Sequence, residues 1–324
     1  MANLVDVAGL VRHFPVSRSL GEMWRGERPV VHAVDGIDFK LAENESVGLL
    51  GESGCGKTTT GRLLLKLDTP TAGSILIGGL NLATIQGEEL KKFRRTAQLV
   101  FQNPFDALNP RFTIRRVLSE PLINAGIDRH EYGDRIAAVL ARVQMRGIGD
   151  LLEKFPHQLS GGQLQRIVLA RALILGPKFI VADEPVSMLD VSVRAGILNL
   201  LRDIQESLGL TAVYISHDLA LVRYVAKRTL VMYLAAIVED GPTERVVTAP
   251  LHPYTKALVA AVPVPRIDQN RAPLPIKGNV PDARKPPPGC RFHDRCPFVF
   301  DRCRVEVPLL REIASDHRAA CHLL

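Results

Sequence analysis

Eight consecutive residues near the front of the chain, Gly51-Glu52-Ser53-Gly54-Cys55-Gly56-Lys57-Thr58, set two glycines around four residues and follow them with Lys-Thr. That spacing is the one by which a backbone cradles phosphate. N–H groups freed by the glycines and by the following helix turn toward the anion, Lys57 carries positive charge to the terminal phosphates, and the Thr58 hydroxyl ligates Mg²⁺. Thr59 sits next to it, at the start of the helix. Downstream, an apolar run ends in Val181-Ala182-Asp183-Glu184. Two adjacent acids after a strand more often belong to a loop surface. In a chain that carries a phosphate loop they read as a working pair, with Asp183 holding Mg²⁺ through water and Glu184 polarising the attacking water. A third stretch, Leu159-Ser160-Gly161-Gly162-Gln163, lies 20 residues before Asp183. A serine and two glycines at a helix start make a second phosphate-binding surface, which one nucleotide on the phosphate loop does not need. The surplus implies a second nucleotide or a second subunit.

A different chemistry is concentrated at the far end. Of the five cysteines, Cys290, Cys296, Cys303 and Cys321 crowd together with gaps of five, six and 17 residues. The first residues, Met1-Ala2-Asn3-Leu4-Val5-Asp6, have no basic start leading into an apolar run, so the cytoplasm is the expected compartment and disulfides are not expected there. Four thiols so close in sequence invite metal. No Cys-x-x-Cys is present, so a zinc ribbon is not favoured by spacing. Four thiolates also suit an iron–sulfur cluster, and plain structural thiols are the third reading. His293, His317 and His322 are substitute ligands. Cys55 lies inside the phosphate loop and reads as a small filler.

These groups need a scaffold, and the patterning supplies an α/β one. Ser46-Val47-Gly48-Leu49-Leu50 is an apolar strand that stops at Gly51, giving strand, loop and helix around the phosphate loop. Phe179-Ile180-Val181-Ala182 and Thr211-Ala212-Val213-Tyr214-Ile215 are short β-rich runs separated by an amphipathic helix from about Val191 to Leu208, the alternation of a parallel sheet. From about Asn103 to Gln158 strand signal is scarce, and Ile136, Val139, Leu140 and Val143 share one helical face, so this stretch reads as a helical insertion. Eight prolines between Pro263 and Pro288 make a stiff connector into the cysteine-rich end.

With 324 residues, 46% of them hydrophobic and 23% charged, the chain has the composition of a folded protein of about two structural units. The longest apolar run, Leu230 to Val238, is nine residues, where a membrane-spanning helix takes about 20. The net charge of +7 is concentrated after Val246, where 12 Lys and Arg face seven Asp and Glu. Aromatics are only 5% of the chain, too few to interleave with basic residues in a nucleic-acid groove, so no direct nucleic-acid partner is expected.

In this order and spacing, the Leu-Ser-Gly-Gly-Gln run resembles the signature of the ATP-binding-cassette ATPases, in which it clamps ATP held by the opposite subunit. The resemblance covers essentially the whole chain and implies a P-loop NTPase (RecA-like) core with an antiparallel β subdomain, a helical insertion and a Cys-rich C-terminal extension. It implies ATP with Mg²⁺ bound through Thr58, Gln102 and Asp183. Gln102, in Val100-Phe101-Gln102-Asn103-Pro104, matches the family's glutamine that touches Mg²⁺ and the lytic water. His217, in Ile215-Ser216-His217-Asp218, matches its switch histidine on the γ-phosphate. Glu184, His217 and Gln102 are thus the expected catalytic residues; Gly51, Ser53, Gly54, Cys55, Gly56, Lys57, Thr58, Thr59, Gln102, Asp183 and His217 the expected ATP contacts; Ser160, Gly161, Gly162, Gln163 and Asp190 the residues facing the partner's nucleotide. Asp190 closes Ser187-Met188-Leu189-Asp190, similar to the family's interface-crossing D-loop, although the family has a small residue where Met188 stands. Phe14 occupies the region where the family stacks an aromatic on adenine, and a core Phe of the first strand is the other reading.

Pro250-Leu251-His252-Pro253-Tyr254-Thr255-Lys256-Ala257-Leu258 resembles the mark of one subfamily, the importers for dipeptides, oligopeptides and nickel, and the long segment from Phe14 to Val34 resembles the second of their two ATPases. The subfamily's tail is similar to ones associated with a [4Fe–4S] centre, here through Cys290, Cys296, Cys303 and Cys321, with Zn²⁺ as the alternative. The division that follows is 1–102 for the first part of the nucleotide-binding core, 103–158 for the helical subdomain, 159–245 for the signature helix and second part of the core, and 246–324 for the connector and extension. The function implied is ATP hydrolysis that powers an importer for peptides or similar small solutes, in an ATP-sandwich dimer with a second ABC ATPase subunit, hetero- or homodimeric. Two transmembrane permease subunits, gripped around Gln102 to Arg111, and an extracytoplasmic solute-binding protein complete the expected assembly, which puts this chain peripherally on the cytoplasmic face of the inner membrane. A soluble ABC ATPase acting on nucleic acid or ribosomes is the rival reading; its relatives carry two cassettes or a long coiled-coil insertion, and this sequence has neither. A catalytically dead regulatory cassette is disfavoured by the intact Lys57, Asp183, Glu184, Gln102 and His217.

Overall fold

The computed structural model describes residues 3–16, 29–262, 276 and 278–324. Most of the proline-rich connector and of the segment between Phe14 and Val34 lies outside these described residues. In chain order the described strands are β1 (Asn3–Pro15), β2 (Val30–Ala42), β3 (Ser46–Leu50), β4 (Ala72–Ile77), β5 (Leu80–Asn81), β6 (Ala97–Val100), β7 (Phe179–Asp183), β8 (Thr211–Ser216), β9 (Arg228–Tyr233), β10 (Ala236–Pro242), β11 (Arg311–Ala314) and β12 (His317–Ala319). They are distributed over two compact units. One consists of Ala42–Ser46 and Thr84–Tyr214, the other of Asn3–Leu41, Val47–Ala83 and Ile215–Leu324.

The second unit carries the phosphate loop. All five residues of β3 are buried, as its unbroken apolar sequence requires of a strand covered on both faces. It pairs in parallel with β9, from Val47 opposite Arg228 to Leu50 opposite Val231. A Cβ at Gly48 would come within 2.2 Å of the Val222 side chain, so this glycine lets the helix Leu219–Val225 lie directly on the strand. β9 and β10 form an antiparallel hairpin. β10 then pairs with β12 and β12 with β11, so the order within this unit runs β11-β12-β10-β9-β3. The cysteine-rich end is therefore not an appendage; two of its strands extend the sheet that delivers the phosphate loop. A separate antiparallel sheet has the order β2-β1-β4-β5.

The nine-residue apolar run Leu230 to Val238 does not form one element. It folds back on itself at Leu234 and Ala235, whose φ angles are 41° and 67°. A two-residue hairpin turn needs left-handed backbone and ordinarily takes Asn-Gly, so nothing in Leu-Ala announces it. Three of the turn's backbone polar groups are engaged elsewhere in the unit. Ala235 N–H donates to the Cys55 carbonyl (3.0 Å), Asp35 N–H donates to the Ala235 carbonyl (2.9 Å), and Arg291 Nη1 donates to the Leu234 carbonyl (2.7 Å). Tertiary bonds hold a conformation that these side chains alone disfavour.

The other unit is predominantly helical: Gly87–Thr96, Pro104–Ala107, Ile114–Asn124, Tyr132–Arg142, Ile148–Glu153, Gly161–Leu173 and Val191–Leu208. The expected face of Ile136, Val139, Leu140 and Val143 is buried, at 4% exposure or less. At the centre runs Gly161–Leu173, buried at Leu164, Ile167, Val168, Leu169, Ala170 and Leu173. Each such Leu, Ile or Val side chain removed from water contributes about 1.5–3 kcal/mol, which fixes this helix and the signature residues at its start. β6 and β7 pair in parallel, Ala97 opposite Phe179 and Val100 opposite Ala182, and β7 ends at Asp183. Among the described residues no helix is long and apolar enough to cross a membrane.

Candidate functional site

The phosphate loop is built as its spacing predicts. Gly56, at φ 108°, caps the helix Lys57–Leu64; a Cβ there would stand 2.0 Å from the Ala33 carbonyl oxygen. At Gly51 a Cβ would meet the Met232 carbonyl oxygen at 2.3 Å. Both glycines are demanded by close backbone neighbours as well as by turn geometry. Ser53, Gly54 and Thr58 are exposed and Thr59 half-buried. Lys57 is 6% exposed, and its Nζ donates to the carbonyls of Gly51 (2.7 Å) and Glu52 (2.8 Å), with the Cys55 sulfur at 3.7 Å. The ammonium thus spans the loop from within, held by carbonyl dipoles and no carboxylate, so its full charge is available to an anion. Burial pushes the Cys55 thiol up, with Lys57 opposing, so it stays a neutral, small packing group.

The residues that brace this loop come from far along the chain and were not legible in the sequence. Glu52 N–H donates to the Tyr254 hydroxyl (2.9 Å). The Glu52 carboxylate receives both terminal nitrogens of Arg295, at 2.8 and 3.1 Å. Tyr254 belongs to the His-Pro-Tyr stretch that the sequence offers as a subfamily mark, and the structure gives that mark a physical role. His252 caps the helix Pro253–Ala261 by accepting the Tyr254 N–H on Nδ1 (3.1 Å). Buried Glu239 anchors the same turn, accepting from Leu251 N–H (3.0 Å) and His252 N–H (2.7 Å), while His317 of β12 lies 2.8 Å away. Complete burial holds the His252 imidazole down at about 3, so it remains a neutral acceptor.

In the helical unit the expected acid pair stands at the end of β7. Gln102 Nε2 donates to Glu184 Oε2 at 2.9 Å, bringing together two residues 82 positions apart. Glu184 has φ 43°, a left-handed conformation that a glutamate adopts only under constraint. The constraint is local and specific: Ser187 N–H and Oγ both donate to the Glu184 carbonyl (3.2 and 3.1 Å), and buried Gln165 of the signature helix donates to the Pro185 carbonyl (2.7 Å). Asp183 is half-buried beside it.

Ser160 and Gln163 close a capping box. Gln163 N–H donates to Ser160 Oγ (3.3 Å) and Ser160 N–H to Gln163 Oε1 (3.1 Å). The box leaves the N–H groups of Gly161 and Gly162 without an intrahelical acceptor. Ser160, Gly161 and Gln163 are exposed. Gly162 packs against the next helix, where an added Cβ would lie 2.6 Å from Val193. Met188 is 63% exposed and Asp190, also exposed, caps Val191–Leu208 without a side-chain bond. Asp218 accepts from Ala220 and Leu221 N–H groups to start its helix, which leaves His217 exposed at the end of β8 in the phosphate-loop unit. Phe14 ends β1 half-buried, with the Arg12 guanidinium 4.3 Å above its ring, so it is not a fully buried core residue.

The four tail thiols are free and buried, at 7–9% exposure. Cys290 N–H donates to the Cys303 carbonyl (2.8 Å). Burial first, and then the neighbouring thiols Cys303, Cys321 and Cys296, push the Cys290 thiol up to about 11. Among the described residues the one trio of metal-ligating atoms within 4.8 Å of one another is His13, His32 and Asp35, not a set of these sulfurs. In that trio Asp35 is bound by Arg291; burial would raise its carboxyl, yet Arg291 and His13 hold it below the usual range.

A phosphate loop at a parallel strand end, a glutamine-held glutamate after a second strand and a glycine-rich capping box define a P-loop ATPase of the cassette type. Two family models match: "ABC transporter" over residues 34–187 and "Oligopeptide/dipeptide transporter, C-terminal region" over residues 238–303. The chain is 42% identical over 323 residues to the di/tripeptide transport ATP-binding protein DppF of Pseudomonas aeruginosa, covering 99% of this chain and 98% of that one. To the oligopeptide transport ATP-binding protein AppF of Bacillus subtilis it is 41% identical over 324 residues, covering 99% and 97%. It therefore belongs to the ATP-binding proteins of ABC transporters. Among solved structures it is similar to the ATP-binding cassette MJ0796 in a dimeric post-hydrolysis state bound to ADP and Pi, with TM-score 0.63 and 26% identity over 74% of this chain and 98% of that one.

Proposed function

We propose that this chain binds and hydrolyses ATP to drive a peptide importer, working in a dimer that sandwiches two nucleotides. The observation that carries the reading is the helix start at Ser160–Gln163, where Ser160, Gly161 and Gln163 are exposed and the Gly161 and Gly162 N–H groups have no intrahelical acceptor, in a chain that already owns a phosphate loop. The phosphate-loop unit brings Lys57, Thr58, Thr59 and His217 to the nucleotide, and Phe14 to its base. The helical unit brings Gln102, Asp183 and Glu184, and Ser160 to Gln163 with Asp190 serve the partner's ATP. Mg²⁺, taken by Thr58, Gln102 and Asp183, supplies charge neutralisation of the phosphates. The constrained backbone of Glu184 and its bond to Gln102 hold one carboxylate oxygen fixed, so that it orients water without prior reorganisation.

The permease partners fit the helical unit. A cavity of about 640 Å³ there is lined by Thr113, Arg115, Arg116, Tyr132, Ile136 and Leu152, a basic rim over an apolar floor suited to a short amphipathic segment with acidic residues. Residues 103–158 form the subdomain that makes this contact, 1–102 and 159–245 the core, and 246–324 the extension. Docked in this way the chain sits peripherally at the cytoplasmic face, and an external solute-binding protein delivers the peptide. The tail thiols hold a metal centre, and a [4Fe–4S] cluster suits them better than zinc. Burial pushes the thiols of Cys290, Cys296 and Cys321 up, and a cationic centre would offset the cost of holding them as thiolates. Zinc with bonds of about 2.3 Å would require the sulfurs to close to about 3.8 Å. When bound, such a centre cross-links a segment with little core of its own.

The reading is tested by assembling the chain with its permease subunits and partner ATPase in lipid discs. Peptide-loaded binding protein is expected to stimulate ATP turnover, and turnover indifferent to peptide would contradict an importer.

A further inference from the structure

We propose that Arg295 is a positioning residue for the phosphate loop, acting through Glu52, so that the cysteine-rich tail sets how tightly the chain holds nucleotide. The inference rests on the phosphate loop binding ATP. Glu52 is the second residue of that loop, and a carboxylate there is electrostatically out of place, since the ligand is itself polyanionic. The structure shows what makes it tolerable. Arg295 grips both carboxylate oxygens, at 2.8 and 3.1 Å, in a two-pronged bond. Arg295 is 8% exposed, with its guanidinium 5.7 Å from the Tyr233 ring and 5.9 Å from the Phe292 ring. Its Nε is buried without a partner, so the side chain tolerates a polar cost to keep this pose. The bond to Glu52 drives the Arg295 guanidinium further up from its already high value, so its charge is permanent.

The grip reaches the loop from one short stretch of the tail. Arg291, four residues earlier, binds the Leu234 carbonyl and Asp35, and Ala235 in the same turn donates to the Cys55 carbonyl. Phe292 lies between them, against Tyr233 and Tyr254, and the Tyr254 hydroxyl takes the Glu52 N–H. The stretch 290–296 therefore grips the phosphate loop directly at Glu52 and reaches Cys55 through the Leu234–Ala235 turn, and is itself bounded by Cys290 and Cys296. Without Arg295 two things follow: Glu52 swings free, and an unneutralised negative charge stands next to the phosphates. The second effect separates positioning through Glu52 from a general role in folding the tail.

The experiment is equilibrium binding of a fluorescent ATP analogue to the full chain, in wild type, Arg295→Ala, Glu52→Gln and the double variant. Thermal melting and metal content are recorded on the same samples. Wild type that fails to bind would remove the reading on which the inference stands. Given binding, Arg295→Ala is expected to weaken affinity roughly tenfold, the order set by losing one charge-assisted pair, and Glu52→Gln to change it by about twofold or less. The double variant should return to within about twofold of wild type, because with no carboxylate to neutralise the arginine has no further work. Arg295→Ala binding as tightly as wild type overturns the proposal. So does a double variant as weak as Arg295→Ala, which would make Arg295 a residue of tail folding alone.

Discussion

The phosphate loop and the Ser160 helix start both present backbone N–H groups suited to phosphate, yet they are held in opposite ways. The loop is braced from outside itself. Ala33 and Met232 carbonyls crowd its glycines, Cys55 is tied to Ala235, and Glu52 is gripped by Tyr254 and Arg295. The helix start is held by its own capping box, by Gly162 against Val193 and by the buried helix that follows it, and Ser160, Gly161 and Gln163 are exposed. The loop is tied down on several sides, whereas the helix start ends in exposed residues; under the proposed reading it is one wall of a site that another subunit completes.

The largest effect is expected at Glu184, the proposed catalytic carboxylate. Glu184→Gln should leave nucleotide binding intact and cut turnover by about 100-fold or more, because the amide keeps a hydrogen bond to Gln102 but cannot polarise water. Turnover in the reconstituted complex, with the partner ATPase also inactivated, checks this; a rate near wild type would remove Glu184 from its role. Next in size is Gly162→Ala, whose Cβ would meet Val193 at 2.6 Å and push the helix start away from its packed position. Turnover is expected to fall about tenfold while binding of a fluorescent nucleotide to the isolated chain stays unchanged. The same substitution in the braced loop, Gly56→Ala, should abolish binding outright, since its Cβ would stand 2.0 Å from a carbonyl.

How much of this was legible follows the same division. The phosphate loop is readable because its function is local: one turn, one lysine, one threonine. Pairing Gln102 with Glu184 needed the order of motifs along the chain, as no periodicity links residues 82 apart. The braces left no trace. Tyr254 and Arg295 lie 202 and 243 residues beyond Glu52, and a contact made through tertiary folding imposes no spacing. The Leu234-Ala235 turn lacks any turn residue because its strain is relieved by partners elsewhere in the unit. Short, charged β11 and β12 carried too little alternation to reveal that the tail joins the sheet.

A smaller effect concerns acid. His252 is held near 3 when folded and titrates near 6.5 when unfolded, so the unfolded chain binds an extra proton between those values. Stability contributed by neutral His252 is full above about pH 6.5 and declines as pH falls toward 3. Melting temperature should therefore drop between pH 7 and pH 5. In His252→Asn, whose amide oxygen can still accept the Tyr254 N–H, the slope should be shallower. An unchanged slope would place the acid sensitivity elsewhere. Smallest in its expected effect on ATP chemistry is Cys303→Ser, which should lower iron and sulfide content on anaerobic purification. Zinc without iron would favour the smaller centre, and no metal in wild type would sink both.

The most direct test of the unfinished wall is turnover per molecule of this chain against its concentration, alone and with the partner ATPase. A site completed by another subunit predicts turnover per molecule that rises with concentration or emerges only on adding the partner. A high rate per molecule, constant down to great dilution, would contradict it.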